Sequence, residues 1–358
     1  MGKDLLDVKI GTLYLAGVGT SLPTRCTLDQ AVADGLIGAA DAAASGIASV
    51  PVAGTTPAPD LAIAAAHVAL RRSGHVPADF AALIHSSVQF QGPDGWSAQH
   101  YVLRNTLDRP ISALEVKNGC VGTLTALETA AHRLIADPSS DAVLLTSGDN
   151  FGNPLVDRWN ATRVFLLGDA GSAFVLSRRS GFARLLSLSF VSNPAMEALN
   201  RGGEELFPPG PTVGRTLNLD ERSAWWREAW KRGITPPVDH LGEIIAAAAK
   251  TALDEAGTAI GDVRRIVHLG FSRSALQDCF LDPLGITDEQ GTWEFTRTTG
   301  HLGPSDPAAG IEHLWLTGQA GPGDRLLVVS AGPGSEAGAA VLEILASPEE
   351  SEGADDAA

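Results

Sequence analysis

Residues 111–135 read ISALEVKNGCVGTLTALETAAHRLI, and the change of rhythm inside that stretch decides the fold class. Ile111–Val116 is a short run of strand character. From Val121 onward, Val121, Leu124, Leu127, Leu134 and Ile135 recur at helical spacing on one face. The join between the two periods carries Gly119, Cys120 and Gly122, and glycines there let the backbone turn sharply. A helix start presents unpaired N–H groups and a positive dipole end, surroundings that make a thiol reactive and able to anchor an oxyanion site. Cys120 is therefore the candidate nucleophile; the competing reading is a thiol packed as a small apolar side chain. Cys26 and Cys279 lack that context and read as structural.

The same alternation extends in both directions. Upstream, KIGTLYLAGVGTSLPT (9–24) reads as a strand broken by Gly17, Gly19 and Pro23; residues 36–60 have loop composition with short helical turns; Leu61–Leu70 is helical and AALIHSS (81–87) is a buried strand. Downstream, DAVLLTSG (141–148) and GDAGSAFVLS (168–177) are strands. The second half repeats the rhythm, with a helix at 241–256, a strand at RRIVHLG (264–270), a helix near 306–317, and RLLVVS (325–330) followed by AGPGSEAG (331–338) and AAVLEIL (339–345). The expected class is α/β with sheets covered on both faces. We divide the chain into residues 1–185, which carry the nucleophile, residues 186–346, and an acidic tail 347–358 expected to be disordered. Between the halves, Trp225, Trp226 and Trp230 either pack a helix against the body or a partner subunit, or line a substrate channel.

Composition excludes several functions. The chain has 358 residues, 44% of them hydrophobic, enough for one large core or two fused ones. A formal charge of -16 argues against a phosphate-tracking, nucleic-acid-binding surface. Three cysteines without paired spacing imply neither a disulfide framework nor a metal site and suit a reducing compartment. No leader-like N-terminus and no run of about 18 apolar residues is present, so no membrane partner is expected and the localisation expected is cytoplasmic. P-loop, HExxH, GxSxG and GxGxxG patterns are absent, which leaves NTPase, zinc hydrolase, serine hydrolase and dehydrogenase readings without support.

Two further segments carry chemistry. GHLGPSD (300–306) places His301 and Asp306 across a Gly-Pro turn, and a carboxylate that orients an imidazole is what a thiol nucleophile needs. The alternative is a polar surface loop. In AGPGSEAG, Gly332 and Gly334 could offer N–H donors to an oxyanion, or simply form a tight hairpin.

Taken in order, GVGTSLP (17–23), NGCVGT (118–123), LLTSGDN (144–150), FLLGDAGSAFVL (165–176), RIVHLGFSR (265–273), TTGHLGPSD (298–306) and VSAGPGSEAG (329–338) resemble the landmarks of ketoacyl-ACP synthase III and span nearly the whole chain. The resemblance implies a thiolase-like five-layered αβαβα fold of two similar halves, a homodimer, no tightly bound cofactor, and acyl transfer from acyl-CoA or an acyl carrier protein through a cysteine thioester. Condensing members carry a His in a PHQAN-like run and an Asn in a GN-T-S run. Here His268 falls near the first and is a second candidate base, while His301 stands at the Asn position. Pro333 replaces a glycine of the terminal loop and has no N–H to donate. GHLGPSD is similar instead to a divergent branch from actinobacterial antibiotic pathways with a Cys, His and Asp set, exemplified by the malonyl-transferring enzyme of cervimycin assembly. That points Cys120, His301 and Asp306 at the catalytic set, and places Arg158, Trp159 and Arg163 near the family's cofactor entrance. The function implied is transfer of an acyl group, malonyl among the candidates, to a hydroxyl of a small-molecule acceptor such as the sugar of a polyketide antibiotic. The alternatives are a carbon–carbon condensing or starter-unit synthase and a silent subunit of a partner synthase.

Overall fold

The computed structural model describes residues 12–210, 213–232 and 241–348. The acidic residues from Glu349 onward, and the side chains of Trp226 and Trp230, lie outside what is described. The strands are β1 (Leu13–Ser21), β2 (Arg25–Thr27), β3 (Ser49–Pro51), β4 (Phe80–Ser86), β5 (Ser112–Val116), β6 (Ala142–Asp149), β7 (Ala170–Ser177), β8 (Ala183–Ser192), β9 (Val263–Val267), β10 (Arg325–Gly332) and β11 (Glu336–Ile344). Nine of them form one sheet in the order β5-β4-β6-β7-β1-β8-β11-β10-β9, while β2 and β3 pair by themselves.

The order contains an internal echo. β4 runs parallel to β6, β6 antiparallel to β7, and β7 antiparallel to β1. In the second half β9 runs parallel to β10, β10 antiparallel to β11, and β11 antiparallel to β8. The two sets meet through the antiparallel pairing of Leu13–Leu15 with Ala183–Leu185. The boundary expected after residue 185 therefore falls inside β8, which starts at Ala183.

Alternating strand residues feed cores on opposite faces. In β10, Leu326 and Val328 enter the central core while Leu327 and Val329 enter the outer one. In β6, Val143 and Leu145 face the centre while Ala142 and Leu144 face the Ala58–Arg72 helix. The helices Gly122–Ala136 and Asp306–Leu316 fill the centre between the two sheet halves; Ala58–Arg72 covers one outer face and Leu241–Glu255 the other. Helix, sheet, helix, sheet, helix is the five-layered arrangement, and both β6 and β7 are buried at every position, as strands covered on both faces must be.

One sequence expectation needs correcting here. Gly17 and Gly19 do not break the first strand but lie within β1. A Cβ at Gly17 would stand 2.1 Å from the Ala69 carbonyl oxygen, and one at Gly19 2.4 Å from that of Ala65. The missing side chains let the Ala58–Arg72 helix lie directly on the strand. Gly17→Ala should consequently lower the unfolding free energy by about 1–3 kcal/mol, the range for overpacking a close contact. Urea unfolding of the two proteins measures it, and equal stability would mean that the helix can lift off without cost.

Candidate active site

Cys120 occupies a single 3-10 turn, Gly119–Val121, between β5 and the Gly122–Ala136 helix. Gly119 sits at φ +55°, and a Cβ there would be 2.2 Å from Pro333 Cδ. Both the dihedral and the contact demand glycine. The turn is clamped from the second half of the chain, where Ser330 Oγ donates to the Cys120 carbonyl at 2.9 Å and Glu336 Oε2 accepts from Asn118 Nδ2 at 2.6 Å; Asn118 Nδ2 also donates to Thr125 Oγ1 of the following helix at 2.9 Å.

His301 comes from the other half. Its N–H donates to the Leu166 carbonyl at 2.8 Å and its carbonyl accepts from Gly168 N–H at 2.9 Å, so the backbone is fixed on both sides of the ring. The ring lies against Phe165 and Phe271, with centroids 4.7 and 5.6 Å away. Nε2 is 2.9 Å from Cys120 Sγ, and Nδ1 is 2.5 Å from Asp306 Oδ2. Asp306, the first residue of its helix, also accepts from Leu302 N–H at 3.1 Å and Gly270 N–H at 3.3 Å. Both His301 and Asp306 are buried. Burial alone would disfavour the imidazolium, but the negative charge on Cys120 and Asp306 outweighs it and raises His301 to about 10. The structure thus brings Cys120, His301 and Asp306 into one hydrogen-bonded row.

Other expected residues fall elsewhere. His268 is buried; its Nδ1–H donates to the Leu269 carbonyl at 2.9 Å and its Nε2 accepts from Thr292 N–H at 3.0 Å. Burial pushes it down to about 4, so it is a neutral ring with both nitrogens engaged by backbone and none turned to Cys120. Its reading as a second base is corrected accordingly. Arg158 is buried and forms a forked pair with Asp169 at 2.7 and 2.9 Å, which leaves no guanidinium face for a phosphate; Trp159 is core. Of that trio only Arg163 is exposed, 3.9 Å from Asp41. AGPGSEAG is the end of β10, a turn, and the start of β11. A Cβ on Gly332 would lie 3.3 Å from the Cys120 amide nitrogen, whereas Gly334 faces open space. Burial raises the Cys279 thiol to about 11 and also raises Cys26.

Asp149, within LLTSGDN, is a buried carboxyl that residue type and spacing do not single out. It ends β6, is fully buried, and its Oδ1 accepts from Val88 N–H at 3.0 Å and Gln89 N–H at 2.7 Å. Burial raises its carboxyl to about 7; the two amides and the His301 charge oppose that, and neighbouring Asp169 adds to it. A carboxyl raised above its unfolded value binds its proton more tightly in the native state, so its contribution to stability falls as pH rises from about 4 to about 7. Asp149→Asn keeps an acceptor for both amides and removes the charge. Relative to the parent, that variant should be more stable at pH 8 than at pH 5 in urea unfolding; a pH-independent difference would show that the carboxyl ionises at no cost.

Residues 253–344 match the family described as 3-oxoacyl-acyl-carrier-protein (ACP) synthase III C terminal, and residues 114–194 match 3-oxoacyl-acyl-carrier-protein (ACP) synthase III. A beta-ketoacyl-acyl-carrier-protein synthase III 3 of Streptomyces coelicolor is 29% identical over 92% of this chain and 96% of its own length. Among solved structures, ChlB3, an acyltransferase, is 37% identical with a TM-score of 0.87 over 94% of this chain and 99% of its own. The 3-oxoacyl-acyl-carrier-protein synthase III of Aquifex aeolicus, 18% identical with a TM-score of 0.72 over 93% of this chain and 100% of its own, shares the fold. The chain belongs to the ketoacyl-ACP synthase III family of thiolase-fold transferases.

Proposed function

We propose that this enzyme moves an acyl group from an acyl-CoA or acyl-carrier-protein thioester, by way of Cys120, to a hydroxyl of a small-molecule acceptor such as a sugar on a polyketide antibiotic. The observation that carries the reading is the Cys120–His301–Asp306 row. In the first half-reaction the Cys120 thiolate attacks the thioester carbonyl, and the tetrahedral adduct expels the donor thiolate, which takes the His301 proton. The acyl-cysteine is neutral, so one of the two negative charges that hold the proton on His301 is gone. His301, now a neutral base oriented by Asp306, accepts the proton of the acceptor hydroxyl as that oxygen attacks the acyl carbon. Collapse releases the ester and restores the thiolate beside the imidazolium.

A competing reading is a carbon–carbon condensing or starter-unit synthase, favoured by the likeness to the beta-ketoacyl-acyl-carrier-protein synthase III 3 of Streptomyces coelicolor. Decarboxylative condensation needs neutral donors to the enolate oxygen. Here the second donor position holds His301 bonded to a carboxylate, which repels a developing enolate and assists proton removal from an alcohol. Arg163 and the free cysteines are compatible with a phosphate-bearing donor in a reducing compartment. A homodimer is part of the proposal. β5 is an edge strand paired only with β4, Leu114 on it is exposed, and Trp96 and Tyr101, at and beside the Ala98–Arg104 helix that packs on β5, are exposed as well.

Incubation with the right acyl thioester should add one acyl mass to the protein on Cys120 and none to Cys120→Ala; label on Cys26 or Cys279 would end the assignment. Asp306→Asn should leave the fold intact and slow transfer by about 10²–10⁴-fold, because an amide does not stabilise an imidazolium. With malonyl thioester and a glycoside acceptor, mass and carbon dioxide followed together should show an ester without gas release. Carbon dioxide with a new carbon–carbon bond would transfer the assignment to the condensing class. Leu114→Arg should shift the protein to a monomer in sedimentation, and an unchanged size would place the interface elsewhere.

A further inference from the structure

A cavity of about 400 Å³ lies apart from Cys120, between the Leu155 segment, the turn at Gly202–Glu204 and the first turns of the Leu219–Lys231 helix. Its charged lining is balanced. Arg215 lies 3.4 Å from Glu221, Arg222 donates to the Asn200 carbonyl, and Glu204 supplies a second carboxylate against the two guanidiniums. Such a lining offers donors and acceptors in several directions without a net field, which suits a neutral polyhydroxylated ring better than a phosphate or a carboxylate. Trp225 adds an indole wall, braced on the glycine turn: a Cβ at Gly203 would be 2.1 Å from Trp225 Cε2. An indole face accepts the C–H face of a sugar ring while hydroxyls bond at its edge.

Exposed apolar side chains follow and precede the lining residues in the chain: Leu206 and Phe207, two and three residues after Glu204, are exposed at 84% and 83%, and Val213, next to Gly214, at 70%. Apolar surface adjoining the lining segments of a polar, charge-balanced cavity suits a molecule with the same two parts. One packing cluster links the cavity wall to the catalytic row. Leu217 N–H donates to the Leu155 carbonyl at 3.0 Å and Leu219 N–H to that of Ala161 at 2.8 Å, and Leu217 packs in one cluster with Phe165, whose ring lies against His301.

The geometry points to this cavity as the recognition site for an amphipathic glycoside acceptor: a neutral sugar unit held between Trp225 and the Arg215–Glu221 pair, with its apolar aglycone over Leu206 and Phe207. The inference rests on the O-acyl transfer reading, and places the binding energy for the acceptor at a site remote from the reacting hydroxyl.

Binding is measured by calorimetry in the Cys120→Ala protein, so that no turnover intervenes. The probes are 4-nitrophenyl and methyl glycosides of β-D-glucose, α-L-rhamnose and β-D-xylose. At least one 4-nitrophenyl glycoside should bind about tenfold or more tighter than its methyl counterpart. Trp225→Ala and Glu221→Gln should weaken both members of that pair at least fivefold, whereas Phe207→Ser should weaken only the aromatic one. Glu221→Gln, at an exposed side chain, keeps the test valid if Trp225→Ala fails to fold. No measurable binding by any probe, or binding indifferent to these substitutions, overturns the site. A wild-type protein that forms acyl-Cys120 yet releases it only to water or carbon would sink the O-transfer reading while leaving the calorimetry to judge the cavity separately.

Discussion

Everything in the site depends on one contact between the halves, His301 Nε2 at 2.9 Å from Cys120 Sγ. Its two partners lie 181 residues apart, and neither half holds the row alone. The five-layered architecture creates the contact because the two central helices begin at the same place. Gly122–Ala136 starts directly after the Cys120 turn and Asp306–Leu316 starts at Asp306; Thr123 Oγ1 donates to the Pro304 carbonyl at 2.6 Å and ties the two starts together. Helix N-termini favour negative charge, so the sulfur and the Asp306 carboxylate both sit where the backbone supports an anion, with the imidazole between them.

That arrangement concentrates buried charge, and the surroundings are organised to compensate it. Asp169 is neutralised by the Arg158 fork and also accepts from Phe151 and Ala53 N–H, both at 2.7 Å. Arg158 is thus removed from ligand binding by the demand of a buried carboxylate two residues past Leu167, in the segment that grips His301. Asp149 is hydrogen-bonded by amides and, among the described residues, has no guanidinium fork, so burial outweighs both the amides and the His301 charge and raises it. Its two amide donors, Val88 and Gln89, belong to the loop whose Gln89 lines the cavity beside the Leu219–Lys231 helix, so the same buried carboxyl braces that cavity wall.

Motifs were legible in the sequence wherever residue type and spacing carry the physics. The strand-to-helix change around Cys120, the long alternating core strands and the proximity of His301 to Asp306 could be read directly. β8 could not. Its inward positions include Ser187 and Ser189, whose hydroxyls donate to the Ala252 and Ala248 carbonyls of the covering helix, so an inward-facing serine pair interrupts the hydrophobic alternation. Gly17 and Gly19 misled for a related reason: a glycine is a breaker in the single-strand view and a spacer when a helix approaches. His268 and Arg158 misled because residue type cannot show whether a nitrogen faces solvent, a substrate or a carbonyl. The cavity had no motif at all, since its lining comes from four separate stretches of chain.

The proposed chemistry rests on an asymmetry in how a proton on His301 is held. In that proposal two groups support it before acylation, Cys120 on Nε2 and Asp306 on Nδ1, and only the first is consumed by acylation. An asparagine in place of His301 would offer a hydrogen-bond donor throughout the cycle and no base at that position. With His301, the proposed donor of the first half-reaction would become the acceptor of the second at the same atom, and Phe165, Phe271 and the two backbone bonds hold the ring in place for both. Such a switch suits a nucleophile that must lose a proton, as an alcohol does, and offers nothing to a carbanion generated by loss of carbon dioxide. On the proposed reading the row favours an acceptor with an ionisable O–H, and the surfaces beyond Phe165, rather than the row itself, decide which O–H reaches it.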